Sequence, residues 1–596
     1  MQLPDVLGLD SVRKLYATGG WTPHHLIKAV RDRIDTADPA IFISRTPTEL
    51  LMAAVDALIA RAPKPNSLPL WGVPFAVKDN IDVAGLPTTC ACPAFTHIAG
   101  KNATVVEQLI AAGAIVVGKT NLDQFATGLN GTRSPYGIPR SVFDPDYISG
   151  GSSSGSAVAV AMGLASFSLG TDTAGSGRVP AAFNNIVGIK PTPGLLSTSG
   201  LVPACESLDC ISVFSLSVQD GAVVRRLAEG FDATDPWSRK AQPHDLPVDG
   251  PRVGILKHGD QHYFGKEDNA LLYDQAIARL GGEPVEIDYE PFLAAARLLY
   301  EGAWVAERQA AFESLSLPQS ALEPSVAAVF ANARAHSAVN AFDDFHKLAA
   351  LKRRCDVEWE KMDILLLPTA PRSFTVDEML AEPIARNSML GTYTNFCNLL
   401  GLSAIAVPAG FDAAGFPFGV TLVAPEFSDD VLLPLADRLH RAANSGAGID
   451  LAYELPALTP APNHKERFQL AVVGAHLSGM PLNHELVSLG GQLVERTRTA
   501  PGYRLFVLPD SVPAKPGLLR APDMEGPGIE VEIWSLDAAA FGSFVAGINT
   551  PLGIGKIMLA DGKQVSGFLC EAWAIADAEE ITSFGSWREY RSVTST

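Results

Sequence analysis

Three short stretches hold residue types able to do nucleophilic chemistry. Residues 150–156 read GGSSSGS, three serines between glycines. Residues 73–79 read VPFAVKD, a lysine after five apolar residues. Residues 170–178 read GTDTAGSGR, a further serine in a loop of small residues. A serine hydroxyl is a weak nucleophile until a base takes its proton. A lysine can serve as that base only if burial lowers its pKa from about 10.4, and a pKa near neutrality means the ammonium is disfavoured by about 4 kcal/mol. On residue types alone, Lys78 reads more readily as a surface cation paired with Asp79.

Other readings of GGSSSGS fail on the residues C-terminal to it. A flexible linker does not run straight into an Ala/Val helix and a buried strand. A phosphate loop of the Gly-x-x-x-x-Gly-Lys-Ser/Thr type needs a lysine that is missing here, the next one being Lys190.

The elements that must carry these residues are those of an α/β protein. ATVVEQLIAAGAIVVGKT (103–120) has a helical apolar period, a glycine and then a strand pattern. SAVAVAMGLA leading to SFSLGT repeats the alternation. VGIL at 253 precedes a helix expected from about Glu267, and ILLLPT (364–369), SAIAVPA (403–409) and GVTLVA (419–424) read as doubly apolar strands. Such strands belong in a sheet covered on both faces, so the expected fold is a mixed central sheet flanked by helices. LPALTPAP (455–462) has three prolines and reads as a linker. After it, GIEVEIWSL and the Asp-Gly hairpin signal in IMLADGKQVSGFL indicate a smaller α+β domain. The expected boundaries are 1–453, a linker at 454–465, and 466–596.

The bulk properties agree with a large enzyme. At 596 residues the chain exceeds a single core. Its net charge of −19, from 46 basic and 65 acidic residues, argues against a sequence-independent nucleic-acid binder. The seven cysteines show no zinc-ligand spacing, which points to reduced thiols in a cytoplasmic protein, and no metal is expected. The N-terminus lacks a signal pattern and no run of about 18 apolar residues occurs, so no membrane association is expected.

Gly150 to Pro191 resembles the glycine- and serine-rich signature of the amidase signature family almost position by position. WGVPFAVKDNIDVAGLPTT, GKTNLDQFATG, SLDCISVFSLSVQD, LLLPTAP and NLLGLSAIAVPAGFDAAGFPFGV are similar to the family as well, so the resemblance spans roughly residues 20–445. The resemblance implies the amidase-signature fold and a cofactor-free Ser-cisSer-Lys triad: Ser176 as nucleophile, Ser152 as the bridging serine after a cis peptide, and Lys78 as base. A hydroxyl donates to one partner and accepts from another, so Ser152 can relay a proton. Ser153 and Ser154 are expected to cap the next helix or satisfy buried backbone. Backbone N–H groups of Thr173, Ala174, Gly175 and Ser176 are expected to form the oxyanion hole. The family usually has two glycines before the nucleophile, and here Ala174 replaces the first. Arg178 reads as structural.

Two features narrow the substrate. AARLLYEGAWVAERQAAFESL reads as one helix that places Tyr300, Trp304 and Arg308 on one stripe. The second feature is the extra C-terminal domain. Both, with TGLNGTRSPYG (127–137) and GAHLSGMPLN (474–483), resemble the allophanate hydrolase subfamily. That resemblance implies Arg308 as clamp for a substrate carboxylate, with Tyr300 assisting and Gly128 among the substrate-binding residues. It implies release of ammonia from allophanate, then decarboxylation of N-carboxycarbamate by the C-terminal domain, with His476 as the candidate there and His484 behind it. A homodimer is expected by the same analogy. The alternatives are an amidase of broader small-amide specificity and an amidotransferase subunit that works with partner chains and tRNA.

Overall fold

Pro74–Lys78, the strand that ends on Lys78, is buried at all five positions because it lies between two other apolar strands. It runs parallel to Ile115–Thr120 on one side and to Phe167–Asp172 on the other, with Phe75 opposite Phe167 and Val77 opposite Leu169. The Phe75 and Phe167 rings stack with centroids 5.0 Å apart. Phe167–Asp172 pairs in turn with antiparallel Cys210–Ser215. These strands are the second to the fifth of an eleven-stranded mixed sheet that runs from Phe42–Arg45 at one edge to Glu283–Ile287 at the other. The computed structural model describes residues 3–242, 244, 246–459, 467–509 and 511–594.

The alternation expected from sequence is present. Thr104–Ala111 is a helix leading to Ile115–Thr120, and Ser154–Ala161 is a helix leading to Phe167–Asp172. Arg252–Leu256 precedes the helix Asn269–Leu280. The three doubly apolar runs are the strands Ile364–Pro368, Ser403–Phe411 and Pro417–Ala424. Every residue of Ser154–Ala161 is buried, which its small side chains permit. A Cβ on Gly155 would lie 2.3 Å from the Ile41 carbonyl oxygen, so this helix approaches its neighbour at backbone distance.

One expected helix is two. The chain forms Glu290–Arg297, turns, and starts again as Trp304–Ser314. The break falls at Gly302, where a Cβ would meet the Leu298 carbonyl oxygen at 2.6 Å and Asp344 Oδ2 at 2.8 Å. The Ala303 N–H donates to Asp344 Oδ2 (2.8 Å). Tyr300 therefore leaves the helix that carries Trp304 and Arg308, and the expected stripe does not form.

The chain divides into two compact units, Met1–Thr459 and Pro460–Thr596. Part of the expected linker (460–465), with the first residue of the expected second domain, lies outside the described residues. The second unit has a five-stranded sheet in the order Gln492–Arg498, Glu530–Asp537, Arg467–Val472, Gln564–Cys570, Leu552–Met558. Its last two strands form the expected antiparallel hairpin. Leu470, Val472, Leu505, Ile533 and Trp587 belong to its own core. No described helix is long and apolar enough to cross a membrane.

Candidate active site

Lys78 is completely buried where its strand ends. Its Nζ donates to Ser152 Oγ and to Thr171 Oγ1, each at 2.7 Å. Burial lowers the Lys78 pKa to about 7, although Asp123, Asp209 and Asp172 oppose the shift. Asp79 is not its partner: that carboxylate pairs with buried Lys119 at 3.0 Å, so the surface ion pair open on sequence grounds does not form.

Ser152 follows a cis peptide from Gly151. A Cβ on Gly151 would stand 2.3 Å from Asp123 Oδ2 and 2.5 Å from the Gly131 nitrogen. Only a glycine fits there, because the backbone must pass the buried Asp123, whose carboxylate accepts from Gly131 N–H (3.0 Å) and Arg133 N–H (3.0 Å). Gly151→Ala is expected to cost about 2 kcal/mol or more by overpacking and to lower turnover at least tenfold; thermal melts and ammonia assays of the same preparation measure both. Of the two roles expected for the neighbouring serines, satisfying backbone is the one found. Ser153 Oγ donates to the Thr171 carbonyl (3.1 Å) and accepts from the Thr171 N–H (3.3 Å), and the helix start has no side-chain capping bond.

Ser176 is buried, and its Oγ donates to the Gly128 carbonyl at 3.4 Å. Among the described residues no hydrogen bond joins it to Ser152 in this conformation. The loop before it is held by Asp172, which accepts from the N–H groups of Gly175 (2.8 Å) and Gly177 (3.0 Å) and pairs with buried Arg178 (2.9 Å). Burial works against the Asp172 carboxylate, but Arg178 outweighs it and holds its pKa below the ordinary value. Arg178 is thus structural, as expected. One expected oxyanion donor is corrected by the same contacts: the Gly175 N–H is turned to Asp172. No bond among the described residues engages the N–H of Thr173, Ala174 or Ser176.

Ala174 is compatible with this loop. Gly175 has φ +136°, a value that L side chains rarely adopt, whereas Ala174 is not among the positive-φ residues. Its methyl group belongs to one buried apolar cluster with Leu208, Leu299 and Trp304.

Arg308 is 1% exposed and makes no ion pair among the described residues. Its guanidinium reaches Thr127 Oγ1 and Tyr300 Oη, both at 3.4 Å, and lies 5.2 Å from the Tyr300 ring centroid. The break at Gly302 and not a shared helix face brings Tyr300 to it. The neighbouring acid, Glu307, is taken by Ser207, which donates to it from N–H and Oγ at 2.7 Å. Arg308 Nε has no hydrogen-bond partner. A buried cation with unused donors is suited to an anionic ligand. Thr127 is adjacent to Gly128, so the guanidinium contact and the carbonyl facing Ser176 come from consecutive residues.

Sequence reasoning does not single out Thr171, Thr127, Asp123 or Asp209, although all lie in quoted motifs. Thr171 precedes Asp172 in GTDTAGS, and the alternation of a strand sends it to the other face. Asp209 accepts from Thr173 Oγ1 and from the N–H groups of Ala204 (2.7 Å) and Cys205 (3.1 Å). Among the described residues no group of three or more His, Cys, Asp or Glu side chains could hold a metal ion.

In the second unit, His476 lines a cavity of about 540 Å³. Its ring stacks on Phe568 (5.3 Å) and meets Phe544 edge-on (5.0 Å), and its Nε2 is 2.9 Å from Glu485 Oε2. Burial lowers its pKa, with Glu485 opposing. His484 is exposed, and its Nδ1 lies 2.9 Å from the Pro481 carbonyl oxygen.

Residues 25–433 match the Amidase family and residues 468–592 match the allophanate hydrolase C-terminal domain. Urea amidolyase of Saccharomyces cerevisiae is 42% identical over 568 residues, covering 92% of this chain and 31% of its own length. Urea amidolyase of Lachancea kluyveri is 41% identical, covering 98% and 33%. The chain thus spans about a third of these relatives. One subunit of the glutamyl-tRNA(Gln) amidotransferase of a Synechococcus strain is 35% identical over 66% of this chain and 87% of its own. Among solved structures, allophanate hydrolase of Kluyveromyces lactis is 40% identical with a TM-score of 0.73, covering 99% of this chain and all of that one. A family match over more than half of the chain, together with whole-chain likeness to that structure, places it: the chain belongs to the amidase family and carries a C-terminal domain of the allophanate hydrolase type.

Proposed function

We propose that the chain hydrolyses allophanate through Ser176, Ser152 and Lys78, and that its C-terminal unit decarboxylates the product. The observation that carries this reading is Arg308: a buried guanidinium with unused donors, tied through Thr127 and Gly128 to the nucleophile. Allophanate is a small amide with a carboxylate at the other end, and two parallel hydrogen bonds from an arginine suit that group.

Lys78, with a pKa of about 7, is substantially neutral at neutral pH. Ser176 turns from Gly128 toward Ser152. Its proton passes to Ser152 Oγ, whose own proton passes to Lys78 Nζ, while Ser176 Oγ attacks the amide carbon. The N–H groups of Thr173, Ala174 and Ser176 are available to the oxyanion. The proton returns through Ser152 to the leaving nitrogen and ammonia departs. Water, deprotonated along the same path, cleaves the acyl-enzyme to N-carboxycarbamate. In the second unit the C–N bond of that dianion breaks, the electron pair stays on nitrogen and takes a proton, and carbon dioxide and carbamate are the products. His476, bonded to Glu485, is the proton-handling group there.

An amidotransferase reading accounts for less. The amidotransferase relative aligns with 66% of the chain, while the C-terminal match is to the allophanate hydrolase domain. Assay of the purified chain for ammonia from allophanate, acetamide and malonamate separates the readings. Rapid release from allophanate alone is expected; equal rates on all three would mean a general amidase, and no release without partner chains an amidotransferase component. Arg308→Ala is expected to raise the KM for allophanate about a hundredfold, the loss of two charge-assisted hydrogen bonds, and an unchanged KM would remove the clamp. Deleting residues from about 465 onward is expected to preserve ammonia release while N-carboxycarbamate persists, followed by carbon-13 NMR.

A further inference from the structure

Among the described residues, the cavity around His476 is lined by one lysine, Lys515, and by no arginine. Among the described residues, the Lys515 side chain makes neither a hydrogen bond nor an ion pair. The acid in the same cavity, Glu485, is committed to His476 at 2.9 Å. The cavity therefore presents a cation with no ion pair among the described residues, beside an imidazole held by Phe568 on its face and Phe544 at its edge. The backbone holds the two groups together. A Cβ on Gly474 would lie 2.2 Å from Pro516 Cδ, so the turn leading to His476 is seated directly on the residue after Lys515. Asn549, Ser488 and Ser543 are further polar residues of the lining.

We propose that Lys515 is the anion-binding residue of this cavity and that its ligand is a compact dicarboxylate, one carboxylate on Lys515 and the rest of the molecule against His476. This rests on the decarboxylation reading, whose intermediate has two carboxylate groups on one nitrogen. A lysine ammonium is a compact point charge that can turn three donors toward such a group. The imidazole then stands where the central atom of the ligand lies, and the aromatic pair keeps it from turning away.

The probe is malonate, in which a methylene replaces that nitrogen and cannot be decarboxylated by the same route. Calorimetry is done on the full chain carrying Arg308→Ala, because Arg308 is itself an anion site. One malonate is expected to bind. Adding Lys515→Met is expected to weaken it about tenfold or more, whereas Lys515→Arg, which keeps the charge, is expected to stay within about fivefold. Propionate, with one carboxylate, is expected to bind the parent at least about tenfold more weakly. Absence of malonate binding in the Arg308→Ala chain, unchanged binding after Lys515→Met, an equal fall with Lys515→Arg, or propionate binding as tightly as malonate would each overturn the proposal. These readouts need no turnover, so failure of the allophanate reading would appear separately, as the absence of ammonia release from the unmodified chain.

Discussion

Ser176→Ala is expected to abolish ammonia release from allophanate, by roughly 10⁴-fold or more, since a nucleophile in a concerted set cannot be replaced by its neighbours. The serine is buried, and its removal takes away one oxygen whose one hydrogen bond among the described residues is to the Gly128 carbonyl at 3.4 Å. The loop keeps its shape without it, because Asp172 holds Gly175, Gly177 and Arg178 independently. The variant should therefore fold with an unchanged melting temperature and still bind substrate through Arg308. A coupled ammonia assay with a calorimetric titration tests both halves. Near-normal turnover would reject the nucleophile, while loss of turnover together with loss of fold would leave the oxygen's chemical role without support. Ser152→Ala is expected to be less severe, because Thr171 also contacts Lys78 Nζ and offers a second hydroxyl beside it.

Lys78→Met is expected to lower activity by about 10³-fold or more, the range for loss of an acid–base group acting in both half-reactions, without lowering stability. In the unmodified chain, kcat/KM should rise about tenfold per pH unit below about 7 and level off above it, since only the neutral amine accepts a proton. The stability consequence has a definite sign. The folded pKa is about 7 and the ordinary value is 10.5, so between these limits the unfolded chain binds more protons. Stability therefore increases as pH rises through this window, and the cost of burying Lys78 is complete below about 7, on the order of 5 kcal/mol. Lys78→Met removes that cost but leaves the hydroxyls of Ser152 and Thr171 without their donor, which offsets part of the gain. The melting temperature of the variant relative to the unmodified chain should thus be higher at pH 6 than at pH 9. A difference independent of pH would mean that Lys78 is not held with a lowered pKa.

The strand and helix order of the first unit was legible because its apolar runs have unambiguous periods: ILLLPT, SAIAVPA and GVTLVA are too short and too uniformly apolar for surface helices, and each is a buried strand. The segment around Arg308 misled for a local reason. Its apolar spacing continues through residues 298–304, but the chain turns there, with Gly302 against Asp344 and the Ala303 N–H bonded to that carboxylate, 41 residues on in sequence. Spacing reports what a segment can form alone, and a tertiary contact overrode it. The C-terminal hairpin was signalled by Asp-Gly between strand patterns, a local feature that needs no partner.

By itself the sequence determined the residue types of the site, the order of the elements that carry them, and the presence of a second domain, because these follow from local pattern and motif. Tertiary structure alone decided the electrostatics. It buried Lys78 against Ser152 and Thr171 while drawing Asp79 to Lys119, turned the Gly175 N–H to Asp172, and buried Arg308 without an ion pair among the described residues. A lysine beside an aspartate in sequence is ambiguous between base and surface ion pair. The difference is its desolvation and its partners, and those are set by strands and loops brought together from 74 and 93 residues away.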